Sequence, residues 1–279
     1  MTFYAKLKNA YEENKVPIDK LCESTKEWIS SSEVHEYFRK LSIKYEQKWQ
    51  NDFHDNHWAS AKFRTILTVH ERIQLTDKLK LQEDESKINQ IEITPLRTYL
   101  LLTCFEQLGL KKECLTFDNY LAANKKKKEI NEILEQFKDG SELNRIKAIY
   151  ESYKLNFTVK NSFMNFINEI LNEETKNELI NSLRIRINNP KDLLETKEAT
   201  IQEKQDYLYK IRNDYTHNSF STGILNKPLE NDPDWTYRET YYLKKWQYSV
   251  YTKIEFINLI RNSLLKGILI IIKENKYSV

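Results

Sequence analysis

The chain has 279 residues, enough for one large domain or two small ones with a real core. Its 40% hydrophobic content excludes a disordered segment, and 44 basic against 41 acidic residues exclude a polycation that coats nucleic acid indiscriminately. Only 4 glycines and 5 prolines are present, which disfavours the many tight turns of sandwiches and barrels. The expected fold class is therefore all-α, a helical bundle with an additional N-terminal helical region.

The cysteines, Cys22, Cys104 and Cys114, are odd in number and lack CxxC spacing, so they read as reduced thiols rather than a disulfide frame or zinc site. MTFYAKLKNAYEEN has no apolar signal-peptide core, and the apolar run at 264–272 is interrupted by Lys266 and too short for a bilayer. The expected location is cytoplasmic, with no membrane partner. The run Lys125–Lys128 has the composition of a solvated helix end or loop, with a phosphate-binding patch as the alternative.

In chain order, Ser30 and Glu33 form a capping box before SSEVHEYFRKLSIKYEQKW, and HWASAKFRTILTVHERIQLTDKL predicts a second long helix. QEDESKINQ is polar and unpatterned, and marks a boundary between a region 1–92 and a second region 93–279. Thr94-Pro95 predicts a helix start, and TPLRTYLLLTCFEQLGL, apolar on most sides, predicts a buried central helix ending at Gly109. Helices follow over 112–123, 127–138, 141–155 and 161–180, with a break at Asp139-Gly140-Ser141. SLRIRI is strand or helix end; its six residues do not decide. Thr200 and Glu203 form a capping box opening IQEKQDYLYKIRNDYTH, and a polar loop holding Pro228 and Pro233 comes next. Leu243, Trp246, Val250, Ile254, Ile257, Leu264, Ile268 and Ile271 recur at steps of mostly three or four, which predicts one long final helix.

Among the histidines, His54 and His57 stand beside Asp52 and Asp55, but no HExxH or third histidine supports a metal site. His35 and His70 have no neighbouring chemistry, and RTILTVH spaces Arg64 and His70 loosely with apolar filling. His217 differs: it closes LYKIRNDYTH, with Arg212 five residues upstream and Asn213 next to that arginine. At about 100° per residue Asn213 and His217 share a helix face, while Arg212 lies about 140° away, so the pair converges only if the helix end bends or a second subunit completes the site. Arginine offers a permanent charge and a planar fork for phosphate oxygens, and histidine can take and return protons near neutral pH. Together they can serve metal-free RNA cleavage, in which the 2′-hydroxyl attacks the adjacent phosphate. No cofactor and no metal are expected.

LYKIRNDYTHNSFSTG resembles the signature of the HEPN superfamily: Arg, a polar residue, three more residues, then His. TPLRTYLLLTCFEQLGL resembles that superfamily's first core helix, and the similarity covers roughly residues 94–275. The resemblance implies a helical bundle acting as a homodimeric metal-independent endoribonuclease, of the kind found in toxin–antitoxin, abortive-infection and antiviral systems. It also implies that Arg212 and His217 are catalytic, with Asn213 supporting them. Glu106 stands where some members carry an acidic residue. Antitoxin-paired members often have a tyrosine where this chain has Ser219, which puts regulation by nucleotide modification in doubt. The implied partners are an RNA substrate, a second copy, and an antitoxin or regulatory protein. The alternative is a non-catalytic helical module binding nucleotide, RNA or a protein.

Overall fold

The computed structural model describes residues 15–25, 65–80, 90–110, 116–189, 192–218 and 228–274. The expected capping box at Ser30, the histidines at 35, 54 and 57, Arg64, Cys114 and Ser219 lie outside them, as do most of the boundary segment 82–90 and part of the helix expected over 112–123. Helix α1 is Lys15–Thr25, α2 is 65–80 and α3 is Gln90–Leu108. Then come α4 (Phe117–Ala122), α5 (Lys127–Gln136), α6 (Glu142–Phe157), α7 (Val159–Asn165) and α8 (Glu173–Asn181). Strands β1 (Leu183–Asn189) and β2 (Asp192–Glu198) precede α9 (Ile201–Asn218). Strands β3 (Pro228–Leu229), β4 (Asp232–Leu243) and β5 (Trp246–Lys253) lead into α10 (Phe256–Glu274).

The fold is mixed α/β, and the all-α expectation is corrected. A five-stranded antiparallel sheet runs in the order β2-β1-β5-β4-β3. SLRIRI lies in β1, an interior strand between β2 and β5, with Leu183, Ile185 and Ile187 buried and Arg186 exposed, the alternation of a half-buried strand. The supposed loop with Pro228 and Pro233 contributes β3 and the start of β4. The long final helix is also corrected: its first third is the β4–β5 hairpin, and the helix begins only at Phe256. Leu243 and Ile254, read as part of the apolar stripe, are more than half exposed, whereas Leu264, Ile268 and Ile271 are fully buried. Trp, Tyr, Thr and Val dominate both strands, and such β-branched and aromatic side chains fit a pleated surface.

The scarcity of glycine misled because this hairpin does not need one. Lys244 itself takes the left-handed conformation (φ 56°) at the turn, the role usually given to Gly or Asn.

The helical half follows the sequence more closely. Ser141 caps α6 by accepting from the Asn144 amide, at the expected break. The expected helix over 161–180 is instead α7, a π turn at Phe166–Ile170, a break capped by Asn172, and α8. Helix α3 starts before Thr94, so Pro95 lies inside it rather than at its first position. It packs against α7, α9 and α10. Its Leu101, Leu102 and Phe105 are fully buried in the core shared with Phe166, Ile185, Leu208, Val250 and Ile260. Leu21 of α1 and Ile73 of α2 belong to the same core, and Arg261 of α10 grips Asp77 of α2 with two contacts of 2.8 Å. Tyr120, Ile149 and Phe157 build a smaller core among α4 and α6. No helix among the described residues is long and apolar enough to cross a membrane.

His70, on α2, is 2% exposed and its Nε2 lies 3.0 Å from Ser24 Oγ of α1. That hydroxyl already donates to the Lys20 carbonyl, so the ring is the donor, in its neutral Nε2–H form. Burial first, then the Arg261 charge, lowers its pKa to about 4. Above about pH 6.5 the ring is neutral in folded and unfolded chains alike, so it adds no pH dependence there. As pH falls from 6.5 to 4, only the unfolded chain gains the proton, and stability should drop by about 3 kcal/mol. Urea titrations across this range should show the drop in the wild type and a shallower one in His70→Gln.

Candidate active site

The Thr200–Glu203 capping box opens α9 as expected: the Glu203 amide donates to Thr200 Oγ1 (3.2 Å) and Glu203 Oε2 accepts from the Thr200 amide (2.8 Å). From that fixed start the helix runs along two neighbours. One side, through Leu208, Arg212 and Tyr215, faces α3; the other, through Tyr207, Lys210 and Asp214, faces β4.

On the α3 side, the Arg212 guanidinium meets the Glu106 carboxylate in a fork. Nη2 donates to Oε2 at 3.0 Å, while Nε lies against Oε1 as an ion-pair contact without a hydrogen bond of its own. Nη1 donates to Asn213 Oδ1 at 3.1 Å. Two turns earlier on α3, Tyr99 stacks on Tyr215 with ring centroids 4.6 Å apart. The two contacts run in opposite senses along the two helices, which sets α3 and α9 antiparallel. The side chains of Arg212 and Glu106 are 17% and 14% exposed, so both charges are largely out of water. Burial raises the Glu106 pKa above the usual carboxylate value, while its hydrogen bond to Arg212 and the charges of Arg212 and Arg72 pull it back.

On the β4 side, Lys210 Nζ sits between Asp214 Oδ2 (2.5 Å) and Glu239 Oε1 (3.2 Å). The Tyr207 hydroxyl donates to the same Glu239 oxygen at 2.5 Å. Burial holds Tyr207 well above the ordinary tyrosine pKa, so it remains a hydrogen-bond donor.

Of the site residues read from the sequence, the structure brings Arg212, Asn213 and Glu106 into one cluster. His217 lies in the last turn of α9, and its side chain is outside the described residues. Position 217 follows position 210 by two helical turns, so the backbone sets it on the β4 side, away from the Arg212–Glu106 fork. Sequence reasoning missed Tyr99, Tyr215 and Arg72. Register offers a signal for the first two: Tyr99 precedes Glu106 by two turns and Tyr215 follows Arg212 by nearly one, so each tyrosine shares a face with its charged neighbour. Cys104, fully buried with its thiol pushed up to about 12 by burial, is a core residue without reactivity.

No protein-family model, curated protein or solved structure matches this chain.

Proposed function

We propose that the chain is a metal-independent endoribonuclease of the HEPN type, with Arg212 and His217 as its catalytic pair. The observation that supports this reading most is the way Arg212 is held. Glu106 takes one edge of the guanidinium and Asn213 one amine, while Nη1 and Nη2 each keep a further N–H without a partner among the described residues. A cation fixed in orientation, partly exposed, and with free donors on its outer edge is suited to a phosphate that gains charge in the transition state.

In the proposed reaction the substrate's 2′-hydroxyl loses its proton to one imidazole and attacks the adjacent phosphorus. The bond to the 5′-oxygen breaks, and that oxygen collects a proton from a second imidazole or water. A cyclic phosphate and a 5′-hydroxyl remain. Positions 212 and 217 are about 140° apart around the α9 backbone, and the reaction needs a phosphate cation and a proton carrier together. A homodimer that sets Arg212 of one copy beside His217 of the other meets the need, and doubles the proton carriers. The biological setting we propose is a toxin or antiviral effector in the cytoplasm, restrained by an antitoxin or regulatory partner.

A second reading is favoured by the same fork. Glu106 already neutralises Arg212, as a pin between two helices would, and the chain would then be a binding module without catalysis.

The test is incubation of purified protein with a defined RNA in EDTA, followed by end-group analysis. Products with cyclic or 3′-phosphates and 5′-hydroxyls are expected. Products with 5′-phosphates, or cleavage that requires added Mg²⁺, would refute the mechanism.

A further inference from the structure

The helices pack on one face of the sheet, where Ile185, Ile187 and Val250 join the core. The register fixes what stands on the other face. Arg184 lies opposite Tyr251, Arg186 opposite Ser249, and Asn188 opposite Gln247. Tyr237 lies opposite Tyr251 in turn, and Tyr242 opposite Gln247. Among the described residues of β1, β4 and β5 this face carries Arg184, Arg186, Lys253 and the rings of Trp235, Tyr237, Tyr242 and Tyr251, with polar Asn188, Thr240, Gln247 and Ser249 between them.

The two kinds of group are also in contact. The Arg184 guanidinium lies over the Trp235 ring, 4.1 Å from its centroid, and Arg186 lies over Tyr251 at 5.7 Å. Tyr251 meets Tyr237 edge to face at 5.9 Å. Tyr242 is 67% exposed near the hairpin tip, next to Lys244 and Lys245. Among the described residues the carboxylates here are Asp232, which holds one Arg184 amine at 2.7 Å, and Glu198, opposite Arg186. Arg184, Arg186 and Lys253, with Lys244 at the tip, exceed them, so the face has a net positive charge; the Lys245 ammonium lies over Trp246, which packs against the core.

We infer that the outer face of the sheet is a stacking platform for single-stranded RNA, with bases laid on its tyrosines and guanidinium planes and phosphates met by its arginines and by Lys244 and Lys253. Each feature matches that ligand more closely than another. The exposed Tyr242 ring, the half-buried Tyr237 and Tyr251 rings and the exposed Arg186 guanidinium can take unstacked bases, while Trp235, 8% exposed, lies beneath Arg184. A duplex hides its bases and offers only phosphates, so it would not use the rings. An acidic protein segment would need the cations but not a row of flat surfaces. The choice of RNA rests on the ribonuclease reading above; the stacking surface itself does not. The platform would hold the strand on one side of β4 while Glu239, on the other side of that strand, contacts the helix bearing Arg212 and His217.

The test separates binding from cleavage. A fluorescent 2′-O-methyl oligonucleotide of about twelve residues spans one sheet-sized site and cannot supply the attacking hydroxyl. By anisotropy the full-length protein should bind it, and a duplex of equal length should compete poorly. Arg186→Gln combined with Tyr242→Ala alters two exposed side chains without setting like charges across from Glu198, so the melting temperature should change little, while affinity should fall at least about tenfold with a shallower salt dependence. Ultraviolet crosslinking of the wild type, mapped by mass spectrometry, should place the adducts on Tyr237, Tyr242 or Tyr251. Unchanged affinity of the folded variant, crosslinks confined to other elements, or equal competition by duplex would overturn the platform. Tight, variant-sensitive binding by a protein that cuts no RNA in EDTA would leave the platform standing and remove the ribonuclease reading. Cleavage and binding both untouched by the variant would do the reverse.

Discussion

Replacing His217 by alanine is expected to slow RNA cleavage in EDTA by at least about a hundredfold, the usual scale for losing a positioned general acid or base. The folded state should be unaffected, because the last turn of a helix contributes little to global stability. Arg212 needs a different substitution. Alanine there would strip the counter-ion from a buried carboxylate, so lost activity could not be told from lost structure. Arg212→Lys keeps the positive charge near Glu106 but loses the planar fork, and with it the donors left over for a phosphate. It should lower the cleavage rate about a hundredfold while the circular dichroism melt shifts only slightly. His70→Gln is the control histidine; its ring is buried against Ser24, and its loss should leave cleavage intact. If His70→Gln abolishes cutting and His217→Ala does not, the site has been misplaced.

Local signals in the sequence were legible where the chemistry is local. The Thr200–Glu203 box and the Ser141 cap are side chains bonding amides three residues away, and such bonds hold wherever the helix packs. The hairpin was not legible, because its evidence conflicts over a short window. Leu243, Trp246 and Val250 fall at helical spacing, while the alternation of β5 is half masked by tyrosines that suit either face. A lysine at the turn removed the expected glycine. Pairing with β1, sixty residues upstream in the chain, settles the conflict, and no pattern within the hairpin states that pairing. At the site, the Arg212–Asn213 neighbourhood was readable from spacing. Glu106 entered only through the resemblance, since nothing local to TCFEQLGL says that its carboxylate meets a guanidinium from another helix.

The fork itself can be made to report which of its two readings holds. Glu106→Leu leaves a guanidinium that is 17% exposed without its counter-ion, and Arg212→Met leaves a carboxylate that is 14% exposed. Each single change is expected to cost about 3 kcal/mol, because an uncompensated charge remains out of water. Restoring both sides with apolar groups of similar length should recover most of this, so Glu106→Leu/Arg212→Met should lie within about 1 kcal/mol of wild type by urea unfolding. The singles should also differ in their pH response. Burial already raises the Glu106 pKa, and without Arg212 only the charge of Arg72 is left to hold it down. In Arg212→Met the carboxyl can then take up a proton that the unfolded chain does not yet hold, so this variant's deficit should shrink as pH falls toward the carboxylate range. Glu106→Leu has no such escape, since arginine does not shed its proton. The double variant then becomes the decisive enzyme: folded, stable and without either charge. If it still cuts RNA at the wild-type rate, the fork is only a pin between α3 and α9 and Arg212 is no part of the chemistry. If it binds the single strand but leaves it whole, the pair is part of the chemistry, and slowed cleavage by folded Glu106→Leu, which keeps Arg212, would show that Glu106 holds the guanidinium in one orientation at a cost in desolvation.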